Sequence, residues 1–167
     1  MANTKGSSEI RLLLANLDDA YERRAWHGPN LRGSLRGVAA RRAAWRPAAG
    51  RHNMWELAVH CAYWKYAVWR RLTGEKRGSF LFEGSNWFRR PLTPMEKTWR
   101  QDLALLDEQH RKLRRAVAKL APRRLRTRSR GSRWTIAQEI AGVTAHDLYH
   151  TGQIRLLKKL SASRKNL

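Results

Sequence analysis

Cysteine, acid and long apolar runs are what this sequence has least of, and each scarcity excludes something. Cys61 is the single cysteine, so no intrachain disulfide framework can form, and a reducing compartment is the expected setting. Residues 1–10 lack the apolar core of a signal peptide, and Arg11 interrupts the apolar residues that follow. The most apolar stretch, 54–69, carries Glu56, His60 and Lys65, so it is too polar and too short to span a bilayer. A cytoplasmic protein with no membrane partner is therefore expected. Alternation with period two is never sustained, which argues against a sheet. No Ser-His-Asp arrangement and no phosphate-cradling glycine loop is evident.

Acids number 13 against 35 Lys and Arg, a formal net charge of +22. Such a field attracts polyanions. No acid occurs between Arg111 and Arg133. Arg111, Arg114, Arg115, Arg123, Arg124, Arg126, Arg128 and Arg130 are the candidate phosphate contacts, with a solvated arginine-rich surface as the plainer reading.

What is present is enough apolar surface for a core. Hydrophobic residues make up 42% of the 167, including eight tryptophans, and one domain over 1–167 is expected. The helical period dominates. Ile10, Leu13, Leu14, Leu17 and Tyr21 form one stripe of a first helix over 8–24, broken at 26–30. Leu31, Leu35 and Val38 restart a stripe in a short piece. A second long helix is capped by Asn53, with Glu56 completing a capping box, and ends at Thr73-Gly74. It is apolar nearly all round and so central. Residues 74–92 form a long connection, read either as a lid carrying Trp87 and Phe88 or as a plain crossover. Thr93, Pro94 and Glu96 predict the start of a third helix, with Met95, Trp99, Leu103, Leu106, His110, Leu113, Val117 and Leu120 as its seam. A mobile basic loop is expected over 121–133. Thr135 and Gln138 start a fourth helix that runs to about Leu160. The fold class is thus all-α, a four-helix bundle. The long second connection allows up-down-down-up topology.

One violation of the apolar pattern points to chemistry. Asp147 and His150 interrupt the seam of the fourth helix. His146 and His150, four residues apart, stack their imidazoles on one face, and His60 lies within the apolar second helix. Neutral imidazoles suit a divalent metal, and three of them leave an open coordination position. With six histidines in the chain a pair at this spacing carries little weight alone; its combination with His60 carries more. Gln153 shares the His146 face and could bind a ligand or simply pack. Asp147 could orient an imidazole or form an ordinary salt bridge. Trp64 could line the cavity or pack in the core. Cys61 turns away from the His60 face and reads as a small core residue. His27, His52 and His110 read as structural.

The stretches Asn53-Met54-Trp55-Glu56-Leu57-Ala58-Val59-His60-Cys61-Ala62-Tyr63-Trp64 and His146-Asp147-Leu148-Tyr149-His150-Thr151-Gly152-Gln153-Ile154, with the loop 45–50, resemble the DinB-like superfamily over most of the chain. The resemblance implies an up-down-down-up bundle with one divalent ion on His60, His146 and His150. Zinc or nickel comes first, with iron or manganese as alternatives. It also implies a homodimer, and a transferase or hydrolase acting on a small electrophilic molecule, in some relatives with bacillithiol, mycothiol or glutathione. The extreme basicity departs from that pattern. It keeps open the alternative of a basic nucleic-acid-binding or stress-related interaction protein whose metal is structural or vestigial.

Overall fold

Ser7 begins the described chain by capping a helix: its hydroxyl accepts from the Ile10 N–H and opens α1, Ser8–Tyr21. The computed structural model describes residues 7–90, 93–129 and 131–163. Asn30 caps α2, Leu31–Leu35, its side chain accepting from the Gly33 N–H at 2.7 Å. A further short helix, α3, follows at Ala40–Ala43.

The expected capping box opens α4, Met54–Thr73: Asn53 accepts from the Glu56 N–H while the Glu56 carboxylate accepts from the Asn53 N–H. Gly74 ends α4 at φ 80°, a left-handed conformation that glycine adopts without a Cβ clash. Buried residues occur on nearly every side of α4, which packs against α5 (Glu96–Ala118) and α6 (Ile136–Ser163). The second capping box also forms, since Thr135 and Gln138 exchange hydrogen bonds at the start of α6.

Three expectations need correction. The third long helix starts at Glu96 and not at Thr93. The Glu96 carboxylate is drawn away to accept from the Ala40 N–H at 2.6 Å, so it caps α3 instead of its own helix, and Met95 is left exposed before the first turn. The basic segment after α5 is not loop throughout. Pro122–Arg126 forms a 3-10 turn that buries Leu125, and the Ile136 N–H donates to the Thr127 carbonyl. The first helix ends three residues early, because the Glu22 and Arg23 N–H groups both turn back to the Asp18 carbonyl.

Among the described residues there is no strand; the fold is all-α, with four long helices and short ones between them. One part of the core gathers Leu31, Leu35, Trp55, Trp99 and Leu106; another gathers Leu17, Leu113, Val117, Ile136 and Ile140. Trp55 and Trp99 are fully buried with their rings tilted at 5.1 Å. Their indole N–H groups are satisfied by Asp102 and by the Val38 carbonyl. Truncating either tryptophan to alanine would cost about 3–5 kcal/mol. No helix of the described residues is long and apolar enough to cross a membrane.

Candidate metal centre

His60 lies in the second turn of α4, and His146 and His150 lie one turn apart on α6. Packing of α4 against α6 brings the three rings together. The His146 Nε2 lies 3.0 Å from the His60 Nε2 and 3.0 Å from the His150 Nε2. Imidazole nitrogens that share one ion at about 2.1 Å sit about 3–3.4 Å apart, so the separations fit.

Hydrogen bonds on the far sides of two of the rings fix their tautomers. The Asn86 carbonyl, which can only accept, takes the His60 Nδ1–H at 2.7 Å. The Gln153 amide oxygen takes the His150 Nδ1–H at 2.7 Å. Both Nε2 atoms therefore carry lone pairs, and both point at a third ring nitrogen. His146 can offer one proton to two acceptors, which leaves the arrangement short of positive charge. Burial lowers the pKa of all three imidazoles, that of His60 to about 4 and that of His146 to about 3, with the neighbouring histidines adding to the effect. At neutral pH the rings are uncharged and their lone pairs are available. His60, His146 and His150 could hold a metal ion.

The surrounding residues support this cluster in ways that periodicity alone did not indicate. Asn86 adopts φ 69°, a left-handed conformation that asparagine tolerates better than most residues. From there its carbonyl reaches His60 and its side-chain oxygen accepts from the Trp64 indole at 3.0 Å. Trp87 lies flat between two imidazoles, 3.8 Å from His60 and 3.6 Å from His52. His52 is held by Glu56 at 3.2 Å, and Glu56 is also gripped by Arg46 through both guanidinium nitrogens. A chain of contacts thus runs from the α4 cap to the His60 ring. The only sequence signal for Asn86 was its place beside Gly84 and Trp87 in a long aromatic connection. Residues 91 and 92, the end of that connection, lie outside the described residues.

The other expected site residues divide. Gln153 touches the site by holding His150. Trp64 is half-buried and lines a cavity together with His146. Phe88 is buried against Tyr63, Phe80 and Phe82 and lies away from the histidine rings. Asp147 does not hydrogen-bond an imidazole; it turns into the core and pairs with Lys65, both fully buried. Lys65 stands out in the apolar run of α4, but its pairing with Asp147 does not show in the sequence. Cys61 is buried, and burial pushes its thiol pKa up, as suits a core residue.

The described arginines of the expected phosphate grip do not line the cavities next to the histidines. Arg114 is committed to Asp18 at 2.7 and 3.0 Å, Arg126 to Glu9 and Arg124 to the Leu72 carbonyl. Arg111, Arg115, Arg123 and Arg128 are exposed, and Arg130 lies outside the described residues.

Two cavities reach the cluster. One of about 820 Å³ is bounded by His146 and Trp64, and one of about 580 Å³ by His150, Gln153 and Trp87. Both are of small-molecule size. In comparisons with known proteins, the family described as the DinB superfamily matches residues 23–154. No curated protein and no solved structure matches the chain.

Proposed function

Because the chain belongs to the DinB superfamily, we propose that it is a divalent-metal-dependent enzyme that activates a thiol or a water for transfer to, or hydrolysis of, a small electrophilic molecule. The observation that carries this reading is the meeting of three ring nitrogens, two of them held as bare lone pairs by Asn86 and Gln153. A bound zinc or nickel ion would supply Lewis acidity, which makes a thiolate or hydroxide accessible near neutral pH. The chain's own residues do the rest. His60, His146 and His150 would hold the ion, Asn86 and Gln153 orient two of the rings, and Trp87 shields the His60 face from water.

Two further features belong to the same reading. Up-down-down-up order is supported by Trp55 meeting Asp102 near the starts of α4 and α5, and Lys112 meeting Trp69 near their ends. A homodimer is supported by an exposed, uncharged face of α6 formed by Gly142, Ala145, Tyr149, Gly152 and Leu156, which a second copy could meet without opposing like charges from these residues.

Elemental analysis after reconstitution tests the proposal. Wild type should retain about one equivalent of zinc or nickel per chain, and His146→Ala should lose it while staying folded by circular dichroism. Metal content near zero in reconstituted wild type would refute the reading. A screen of low-molecular-weight thiols with electrophilic substrates then separates transfer from hydrolysis.

A further inference from the structure

The larger of the two cavities has a composition of its own. Its walls are indole and aliphatic, from Trp64, Trp134 and neighbouring valines, and His146 forms part of the lining. Two arginines and one acid also line it. Glu139 is already satisfied on both oxygens, by Arg71 at 3.0 Å and by the Ser129 hydroxyl at 2.9 Å. Arg71 and Glu139 therefore cancel. Arg133 pairs with no carboxylate among the described residues; its guanidinium lies over the Trp134 ring at 4.9 Å. Among the described residues, the cavity thus carries two indoles and one uncompensated positive charge in its walls.

We propose that this cavity binds a small aromatic carboxylate, its ring against the indoles and its carboxylate on Arg133, beside His146. Each part of the ligand is demanded by a part of the wall. Flat apolar walls favour a ring over a flexible chain, because stacking orders fewer torsions. A single uncompensated guanidinium suits one carboxylate, which it can bind through two nitrogens. A cationic ligand would meet Arg133 unfavourably. A volume of about 820 Å³ admits one or two fused rings. The catalytic meaning of this substrate class rests on the function proposed above, but the binding itself does not.

Calorimetric titration of the full chain with 2-naphthoate tests it, in physiological salt, on metal-free and zinc-reconstituted protein. Saturable one-to-one binding is expected, and 2-naphthylmethanol, the uncharged analogue, should bind about tenfold more weakly. Arg133→Gln should weaken 2-naphthoate by a similar factor. Trp134→Ala should weaken both ligands, with circular dichroism confirming the fold. Arg100→Gln removes the same charge from the exposed face of α5 and should leave binding unchanged. Equal losses from Arg100→Gln and Arg133→Gln would mean that the anion feels only the net charge, which overturns the proposal. So would equal affinity for the alcohol, or no saturable binding. Zinc content of the Arg133→Gln protein, measured alongside, keeps the two proposals separate. Naphthoate binding by a chain that holds no metal sinks the enzyme reading alone, and a zinc-loaded wild type that ignores naphthoate sinks this one alone.

Discussion

At His60 the lone pair on Nε2 exists because Nδ1 has given its proton to the Asn86 carbonyl, and that carbonyl is aimed by a left-handed backbone. The ligand quality of His60 thus depends on the φ of a residue 26 positions away. Asn86→Gly keeps the conformation accessible and should leave zinc affinity within a few-fold, despite losing the bond to Trp64. Asn86→Val disfavours the conformation, should re-aim the carbonyl, and should weaken zinc by about 10–100-fold in a chelator competition, the usual cost of losing a supporting bond behind a metal ligand. Equal affinities for the two variants would remove Asn86 from the account. A second residue acts through burial. His110 stacks on Tyr21 at 3.8 Å, neither ring nitrogen has a hydrogen-bond partner, and its pKa is lowered to about 2 by burial, with Lys65, Arg114 and Arg111 adding to the effect. An unfolded histidine titrates near 6.5. The unfolded chain therefore takes up a proton that the folded chain refuses, and this contribution to stability, complete above about pH 6.5, falls away as the pH drops below it. His110→Leu should flatten the loss of stability between about pH 6.5 and pH 4, read from urea midpoints of metal-free protein; an unchanged slope would contradict the assignment.

Between elements, the contact of α4 with α6 carries both the site and a cost. Five residues after His60, Lys65 enters the core and meets Asp147, which follows His146 directly in sequence. Burial raises the Asp147 pKa and Lys65 opposes the rise. Taking both charges out of water consumes much of what their attraction returns, so the pair contributes little net stability, yet breaking it leaves a buried charge alone. Lys65→Met should destabilise by about 3–5 kcal/mol, and the double change Lys65→Met/Asp147→Leu should recover most of that loss in urea titrations. If the double variant is no more stable than the single one, the pair does more than neutralise itself. Zinc retention in a folded double variant would also separate helix register from ligand chemistry, because neither residue supplies a ring nitrogen.

Over the whole molecule the charge of +22 governs behaviour more than any single arginine does. Self-repulsion opposes the compact state and is screened by salt, so Tm should rise as NaCl goes from about 20 mM to 500 mM. A falling Tm would show that local ion pairs such as Arg114–Asp18 outweigh the net field. The same charge should give sequence-indifferent binding to short duplex DNA that weakens steeply with salt. Because Arg114, Arg124 and Arg126 are held by groups within the chain, replacing them should reduce DNA affinity no more than replacing free arginines such as Arg115 and Arg123. Filter-binding titrations at fixed salt would settle the comparison.

The long helices and two of their capping boxes could be read from spacing, since one face of a helix repeats every three or four residues and a cap needs its partner three positions on, whereas the joining of His60 to the His146–His150 pair rested on the family resemblance. His60, His146 and His150 stood out as polar residues where leucine would pack. Asn86, Lys65 and the His52–Trp87–His60 stack could not be read that way, since each acts across dozens of residues through a backbone angle or a ring face that no periodicity encodes. The fate of Glu96 makes the same point. Its spacing from Thr93 promised a cap, and only the arrival of the Ala40 N–H at 2.6 Å in the folded chain decided which helix it would serve. Local pattern sets which residues can face inward together, whereas a buried polar group takes whichever partner the packing of helices brings within reach.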